Sequence, residues 1–280
     1  MRVWFEGKLH QGPLGISPRD RGLTLGDGIF ETLLVQQGVA VFREDHLDRM
    51  KSSAEILGIR FPEKAINEAI DGMCKNVVAL HVLRLTLTRG VTPRGLAEDS
   101  DKPYFFATID QFDASQQFKF ITLYEAQTRR NEFSTLSMMK CLSYMDNIYA
   151  AREAKAFGAD EALILNTKGR LACTSIGNIF IVAGGELITP KLSEGALPGI
   201  MRHHVLQAAD RLGIKTKEVM VNTRLFSHAT TVFVTNSLRI MSMVVELNGS
   251  PVPFEDMEMI KRVSKAIVDY IRFDIDSRKI

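Results

Sequence analysis

Residues 137–165 constrain the fold more than any other stretch. Lys140 follows a short semi-polar run, and an alanine-rich segment with helical periodicity then runs to Phe157. Gly158 offers the left-handed stop such a helix needs, and 162–165 is an apolar run of strand length. A lysine anchored by regular elements on both sides can be held rigid and stripped of water. Desolvation lowers a lysine pKa, and the neutral amine condenses with an aldehyde to a Schiff base. A lysine without such company is an ordinary solvated cation, so the rest of the chain decides between the two readings.

That rest is a mixture of strand and helix patterns without strict βαβ alternation, which predicts α+β domains rather than a doubly wound sheet. Strands are expected at 2–5, 39–42, 82–88, 104–109, 118–123 and 231–235, and a turn at 36–38. Helices are expected at 44–57, 62–79, 200–212 and 255–271. In the first of these Leu47, Met50, Ala54 and Leu57 form an apolar stripe, while His46 and Arg49 share a face. Gly26-Asp27-Gly28 supplies backbone freedom just before a β-rich run. The polar residues 110–117 read as a linker. The expected division is an N-terminal α+β domain over 1–112, a linker region over 113–122 and a C-terminal cofactor-binding domain over 123–280.

Composition narrows the class. With 280 residues, 45% hydrophobic and 24% charged, the chain can bury a sizeable core. A formal charge of +2 offers no electrostatic case for nucleic acid or an anionic membrane, and no apolar run approaches the ~20 residues that span a bilayer. Three widely spaced cysteines, Cys74, Cys141 and Cys173, argue against a disulfide framework or a metal site and suit a reducing cytoplasm.

Two segments suit an anion. Gly199-Ile-Met201 opens a helix directly after a proline, where unpaired amides and the helix dipole favour negative charge, and Asn236-Ser237 follows a strand end. Taken in order, the motifs Gly26-Asp-Gly-Ile-Phe-Glu-Thr32, His46-Leu-Asp-Arg49, Arg84-Leu-Thr-Leu-Thr-Arg89-Gly, Lys140-Cys-Leu-Ser-Tyr-Met-Asp-Asn147, Asn178-Ile-Phe180, Leu197-Pro-Gly-Ile200 and Asn236-Ser-Leu-Arg239 resemble the fold-type IV pyridoxal-phosphate enzymes. These include branched-chain aminotransferases, D-amino-acid aminotransferases and aminodeoxychorismate lyases. The resemblance spans nearly the whole chain.

The resemblance implies a two-domain fold-type IV architecture, pyridoxal 5'-phosphate as cofactor, and a homodimer. It gives Lys140 the Schiff-base role and Arg49 a grip on the cofactor phosphate. The Ile200 and Met201 amides and the Ser237 hydroxyl would hold the same phosphate. Arg84, Arg89 and Arg94 are the cations available for a substrate carboxylate. His46 reads as a packed helix-face residue, and Asp27 and Glu31 as structural. The implied reaction is amino-group transfer between an amino acid and a 2-oxo acid. One alternative is aminodeoxychorismate lysis to 4-aminobenzoate and pyruvate, since the first motif looks closer to the lyase and D-amino-acid branch. Another is a drifted, non-catalytic dimer of the same fold.

Three positions depart from the family pattern. Cys173 stands where the family has a glutamate facing the cofactor's ring nitrogen; it either remains a neutral thiol or ionises and replaces the carboxylate. Met201 replaces a common threonine and Ser143 a usual asparagine.

Overall fold

A computed structural model describes residues 1–279. The chain forms two compact units, one of residues 1–114, 139–144 and the chain end from Ile271, the other of residues 115–138 and 145–270.

Six strands build the sheet of the first unit: β1 (Arg2–Phe5), β2 (Lys8–His10), β3 (Gly28–Gln36), β4 (Val39–Ala40), β5 (His81–Thr88) and β6 (Tyr104–Gln111). They lie in the order β2-β1-β6-β5-β3-β4, and every pairing is antiparallel. The β3–β4 hairpin closes through Gln37 and Gly38, with φ of 53° and 81°, the left-handed pair that matches the twist of the flanking strands. Three helices belong to this unit: α1 (Arg21–Leu25), α2 (Arg43–Leu57) and α3 (Glu63–Cys74). Met50 and Ala54 of α2 and Ile66, Ile70 and Met73 of α3 pack with Ile29, Leu33, Leu83, Leu85 and Leu87 of the sheet.

Side chains alternate along a strand, so β3 sends Ile29, Leu33 and Val35 into this apolar layer together with Glu31, while Phe30 and Thr32 face the other way. The helix expected over 62–79 stops at Cys74. Asn76 takes φ 63° and Val77 N donates back to Cys74 O, a left-handed turn that a right-handed helix cannot continue.

Residues 140–142 return to the first unit and lie against the start of β3. Phe30 N donates to Lys140 O at 2.9 Å, and Leu142 N donates to Gly28 O at 2.8 Å, with Ile29 and Cys141 bridged between them. Gly28 permits this approach: a Cβ there would sit 2.5 Å from Leu87 O and 2.8 Å from Leu142 Cδ1. Gly26 serves differently, ending α1 at φ 69°.

The second unit holds β7 (Phe120–Glu125), β8 (Glu161–Leu165), β9 (Leu171–Thr174), β10 (Asn178–Ala183), β11 (Glu186–Pro190), β12 (Thr216–Val219), β13 (Thr231–Asn236), β14 (Ile240–Leu247) and β15 (Ser250–Pro251). The order is β12-β11-β10-β13-β14-β7-β8-β9, with β15 on β14. The β7–β8, β7–β14 and β11–β12 pairs are parallel. The helices are α4 (Met145–Phe157), α5 (Ile200–Arg211), α6 (Thr223–Ser227) and α7 (Met257–Ser277), which runs on into the first unit's residues. Phe180 and Phe233, fully buried, stack at 5.0 Å between β10 and β13. Residues 120–122 of the expected linker are strand, paired with β14. The strand starts at Phe120 rather than Phe118 because Phe118 takes φ 54°, outside the extended region.

Gly28→Ala is expected to lower the unfolding free energy by about 1–3 kcal/mol through overpacking. Gly15→Ala, with nothing within 4 Å of the added Cβ, should not lower it. Denaturant titration of both variants checks this.

Candidate active site

Lys140 is fixed by its backbone pairing to β3, and its side chain shares a face with Phe30. Its Nζ lies 4.5 Å from the Phe30 ring centre and 5.5 Å from that of Tyr144, whose ring meets Phe30 edge-on. Register places Arg84 of β5 opposite Thr32 and Thr86 opposite Phe30, so all lie on this face. The Arg84 guanidinium stacks 3.8 Å above the Phe30 ring. No acidic group pairs with Arg84 among the described residues, and burial pulls its pKa down. The Thr86 hydroxyl is buried without a hydrogen-bond partner.

Glu31 on the opposite parity of β3 is 1% exposed and is gripped by α2. Arg49 donates through Nε to Oε1 and through Nη2 to Oε2, each at 2.7 Å, and His46 Nδ1 donates to Oε2 at 2.7 Å. Burial alone would raise the Glu31 pKa, but Arg49 and His46 more than offset it and hold the carboxyl well below its usual range. Burial pushes His46 down, so the ring is neutral and carries its proton on Nδ1. Its Nε2 is buried with no partner. His46 is thus one arm of an ion network as well as a packed residue.

Burial also lowers the Lys140 pKa, to about 8; Glu31 opposes the shift, while Arg49 and Arg84 add to it. Carbonyl chemistry needs the neutral amine, and a pKa near 8 makes a far larger neutral fraction available near physiological pH than an ordinary lysine offers.

The other two candidate arginines of this unit behave differently. Arg89 is engaged by the fold: Nε donates to Asp27 Oδ2 at 2.8 Å, Nη1 to Asp99 Oδ1 at 2.8 Å and Nη2 to Leu57 O at 2.6 Å. Asp27 also accepts from Arg21 Nε at 2.7 Å, so this carboxylate clamps α1 to the end of β5. Arg89, expected as one of three cations for a substrate carboxylate, thus has its guanidinium engaged by Asp27, Asp99 and Leu57 in this structure. Arg94 is exposed in the loop after β5.

In the second unit, α5 begins at Ile200 with Gly199 as N-cap, and no side chain caps it. Gly199 presses on Asn178 so closely that a Cβ would come 2.0 Å from Asn178 Oδ1, and Asn178 Nδ2 donates to Leu197 O at 2.9 Å. The Asn178-Ile-Phe and Leu197-Pro-Gly motifs are therefore one packed feature that aims the first amides of α5. Ile200 and Met201 bury their side chains and leave the anion function to the backbone. Ser237 is partly exposed beyond β13. Within the second unit, the uncapped, glycine-cradled start of α5 offers backbone donors suited to an anion such as a phosphate. Within the first unit, the desolvated Lys140 amine is suited to condense with an aldehyde.

Cys173 lies in β9, opposite Ile164 of β8, and is buried. Burial pushes its thiol up; Arg130, with Nη2 3.7 Å from Sγ, opposes the shift without reversing it. Of the two states left open by the sequence, the structure favours the neutral thiol. Arg130 also donates to Asn147 Oδ1 at 3.0 Å.

Glu31, Thr86 and Arg130 are buried polar groups that a sequence reading does not single out. For Glu31 a signal exists, because the period-2 pattern of β3 puts a carboxylate on the apolar face. Thr86 and Arg130 give none, since a hydroxyl in a strand and an arginine in a loop are ordinary.

The family profile described as "Amino-transferase class IV" matches residues 28–247. A Methanocaldococcus jannaschii protein provisionally named branched-chain-amino-acid aminotransferase is 29% identical over 96% of both chains. The crystal structure of 4-amino-4-deoxychorismate lyase from Pseudomonas aeruginosa superposes with TM-score 0.84 at 26% identity, covering 94% of this chain and 97% of that one. The Escherichia coli branched-chain amino acid aminotransferase shares the fold, with TM-score 0.88 at 20% identity over 96% and 94% of the two chains. Aminotransferase and lyase thus both occur among the relatives, not the lyase branch alone.

In the cofactor-free protein, Lys140 should acylate with a half-maximal rate near pH 8 instead of near 10.5. Competitive acetic anhydride labelling with mass spectrometry of the Lys140 peptide measures the midpoint.

Proposed function

The chain belongs to the class IV amino-transferases, a pyridoxal 5'-phosphate-dependent family, and we propose that it transfers an amino group between an amino acid and a 2-oxo acid. The observation that carries this reading is the Lys140 amine, lowered to about 8 by burial, on the same sheet face as an Arg84 guanidinium without an acidic partner. The relative that spans 96% of both chains, named as an aminotransferase, supports transfer over lysis. The desolvated lysine argues against the non-catalytic alternative. A cytoplasmic homodimer completes the proposal.

When bound, pyridoxal phosphate supplies an electron sink beside the reacting carbon. Lys140 Nζ, neutral above about pH 8, removes the substrate α-proton and redelivers it. Arg84 holds the substrate carboxylate, with a geometry suited to two parallel hydrogen bonds. Arg94 is a second cation for an acidic substrate arm. Arg49, the Ile200 and Met201 amides and Ser237 would hold the cofactor's phosphate. Cys173, a neutral thiol beside Arg130, would bring no negative charge to the cofactor's ring nitrogen, and proton removal would then be slower than with a glutamate there.

Borohydride reduction of the cofactor-loaded protein should fix the cofactor on Lys140, and Lys140→Ala should abolish fixation and turnover. Label on a different lysine would sink the assignment. Arg84→Met should raise KM for the amino donor at least roughly tenfold, the scale of one charge-assisted contact. Release of 4-aminobenzoate and pyruvate from aminodeoxychorismate, faster than any transfer from a panel of L- and D-amino acids, would establish the lyase instead.

Cys173→Glu should speed the single-turnover half-reaction, with Cys173→Asp as the control for overpacking. Rates equal to the parent's in both variants would show that Cys173 does not face the ring nitrogen.

A further inference from the structure

The clamp at Asp27 reaches beyond the end of β5. Its Oδ2 accepts from Arg21 Nε at 2.7 Å and from Arg89 Nε at 2.8 Å. Arg21, which is buried, turns the other end of its fork onto two successive carbonyls of the loop that follows β5. Nη1 donates to Gly95 O at 2.7 Å and Nη2 to Leu96 O at 2.9 Å. A planar guanidinium can serve one carboxylate and two carbonyls at once, which the single nitrogen of a lysine cannot do in the same geometry.

The loop is also pinned on either side of this point. At its start Arg21 N donates to Gly90 O at 3.0 Å, Asp20 and Val91 form a bridge, and Arg19 Nη2 donates to Thr92 O at 3.4 Å. At its end Asp99 Oδ1 accepts from Arg89 Nη1 at 2.8 Å. Between Thr92 and Gly95 stand only Pro93 and Arg94. The Pro93 ring fixes its own φ, and its carbonyl accepts from the Thr92 hydroxyl at 2.8 Å. Arg94 itself is exposed and makes no hydrogen bond or ion pair among the described residues. A surface loop ordinarily keeps its freedom, because ordering it costs conformational entropy. Here two arginines joined at one carboxylate hold the backbone around a cation that has no structural partner of its own.

We propose that Arg21, oriented by Asp27, is the positioning residue of Arg94: its fork holds the Gly95 and Leu96 carbonyls, so that the Arg94 guanidinium is presented on a fixed backbone to the second carboxylate of a dicarboxylic amino acid or oxo acid. A cation on a fixed backbone gives up only side-chain rotamers when it meets an anion, whereas one on a mobile loop must order the loop as well. This rests on the reading of Arg94 as the cation for an acidic substrate arm, but the hold of Arg21 on the loop is tested without it.

The experiment is limited trypsin digestion of the cofactor-free protein under native conditions, read by mass spectrometry, together with KM measurements on the cofactor-loaded enzyme. In the folded parent the Arg94–Gly95 bond should be cut at least roughly a hundredfold more slowly than in the urea-unfolded chain. Rapid cutting there overturns the proposal without any variant, and this rate decides if no variant folds. Arg21→Met removes the fork, and Arg21→Lys keeps a charge at Asp27 without bridging both carbonyls. A variant that still unfolds cooperatively on heating should be cut after Arg94 roughly tenfold faster than the parent, the scale of two lost hydrogen bonds, with no acceleration at other sites. Cutting at the parent's rate, or faster at every site alike, overturns the proposal. In the same variants KM for glutamate should rise about three- to tenfold with kcat unchanged, while both constants for alanine stay at the parent's values, each donor being tested as both enantiomers. If Arg94→Met raises KM for glutamate but the Arg21 variants do not, or if they raise it for alanine equally, the proposal is overturned. No turnover of glutamate, or an Arg94→Met enzyme with unchanged KM for it, rejects the reading of Arg94, and the digestion alone then decides whether Arg21 holds the loop.

Discussion

The backbone pairing of residues 140–142 with the first residues of β3 is the contact on which the site depends. Two hydrogen bonds, Phe30 N to Lys140 O and Leu142 N to Gly28 O, carry the lysine from the far part of the sequence to the strand that bears Phe30 and Glu31. The approach is open because Gly28 has no Cβ to meet Leu87 O. Detached from β3, Lys140 would be a hydrated cation near its ordinary pKa. Laid against it, the amine is desolvated above an aromatic ring and enters the field of three charged side chains.

That field is a balance of buried charges. Removing one partner of a buried ion pair is costly, about 3–5 kcal/mol, because the other is left uncompensated. The same arithmetic explains the tight bonding of Glu31 and the separate closed cluster around Asp27. Asp27 ties Arg21 and Arg89 into the fold, whereas Glu31 ties Arg49 and His46. One short motif, Gly26 to Thr32, thus supplies two anions with different duties. Arg84 differs from both sets in stacking on the Phe30 ring, and no acidic group pairs with it among the described residues.

In the second unit the start of α5 presents backbone amides that no side chain caps. Gly199 against Asn178 sets the start of α5, and the side chains of Ile200 and Met201 turn inward. Met201, which stands where the family commonly has a threonine, therefore leaves those backbone amides unobstructed by its side chain. Cys173 is a buried thiol whose pKa burial raises, and a neutral thiol does not carry the negative charge of a carboxylate.

Much of this was legible from residues alone. Periodicity located α2, α4 and α5, and the apolar run of β8, because local pattern and the buried face coincide there. Helix stops such as Gly158 follow from glycine's freedom at positive φ. The order of motifs announced the fold, and it pointed to Lys140, Arg49 and the α5 start as the site that is proposed. Other features were decided only by tertiary structure. Arg84, Arg89 and Arg94 are indistinguishable as letters, yet one is stacked on Phe30, one is bound by Asp27 and Asp99, and one is exposed. Nor does sequence tell whether Cys173 is thiol or thiolate, or which charges surround Lys140. Each depends on burial and on partners many residues away, and desolvation and Coulomb energy are set by distances in space rather than along the chain.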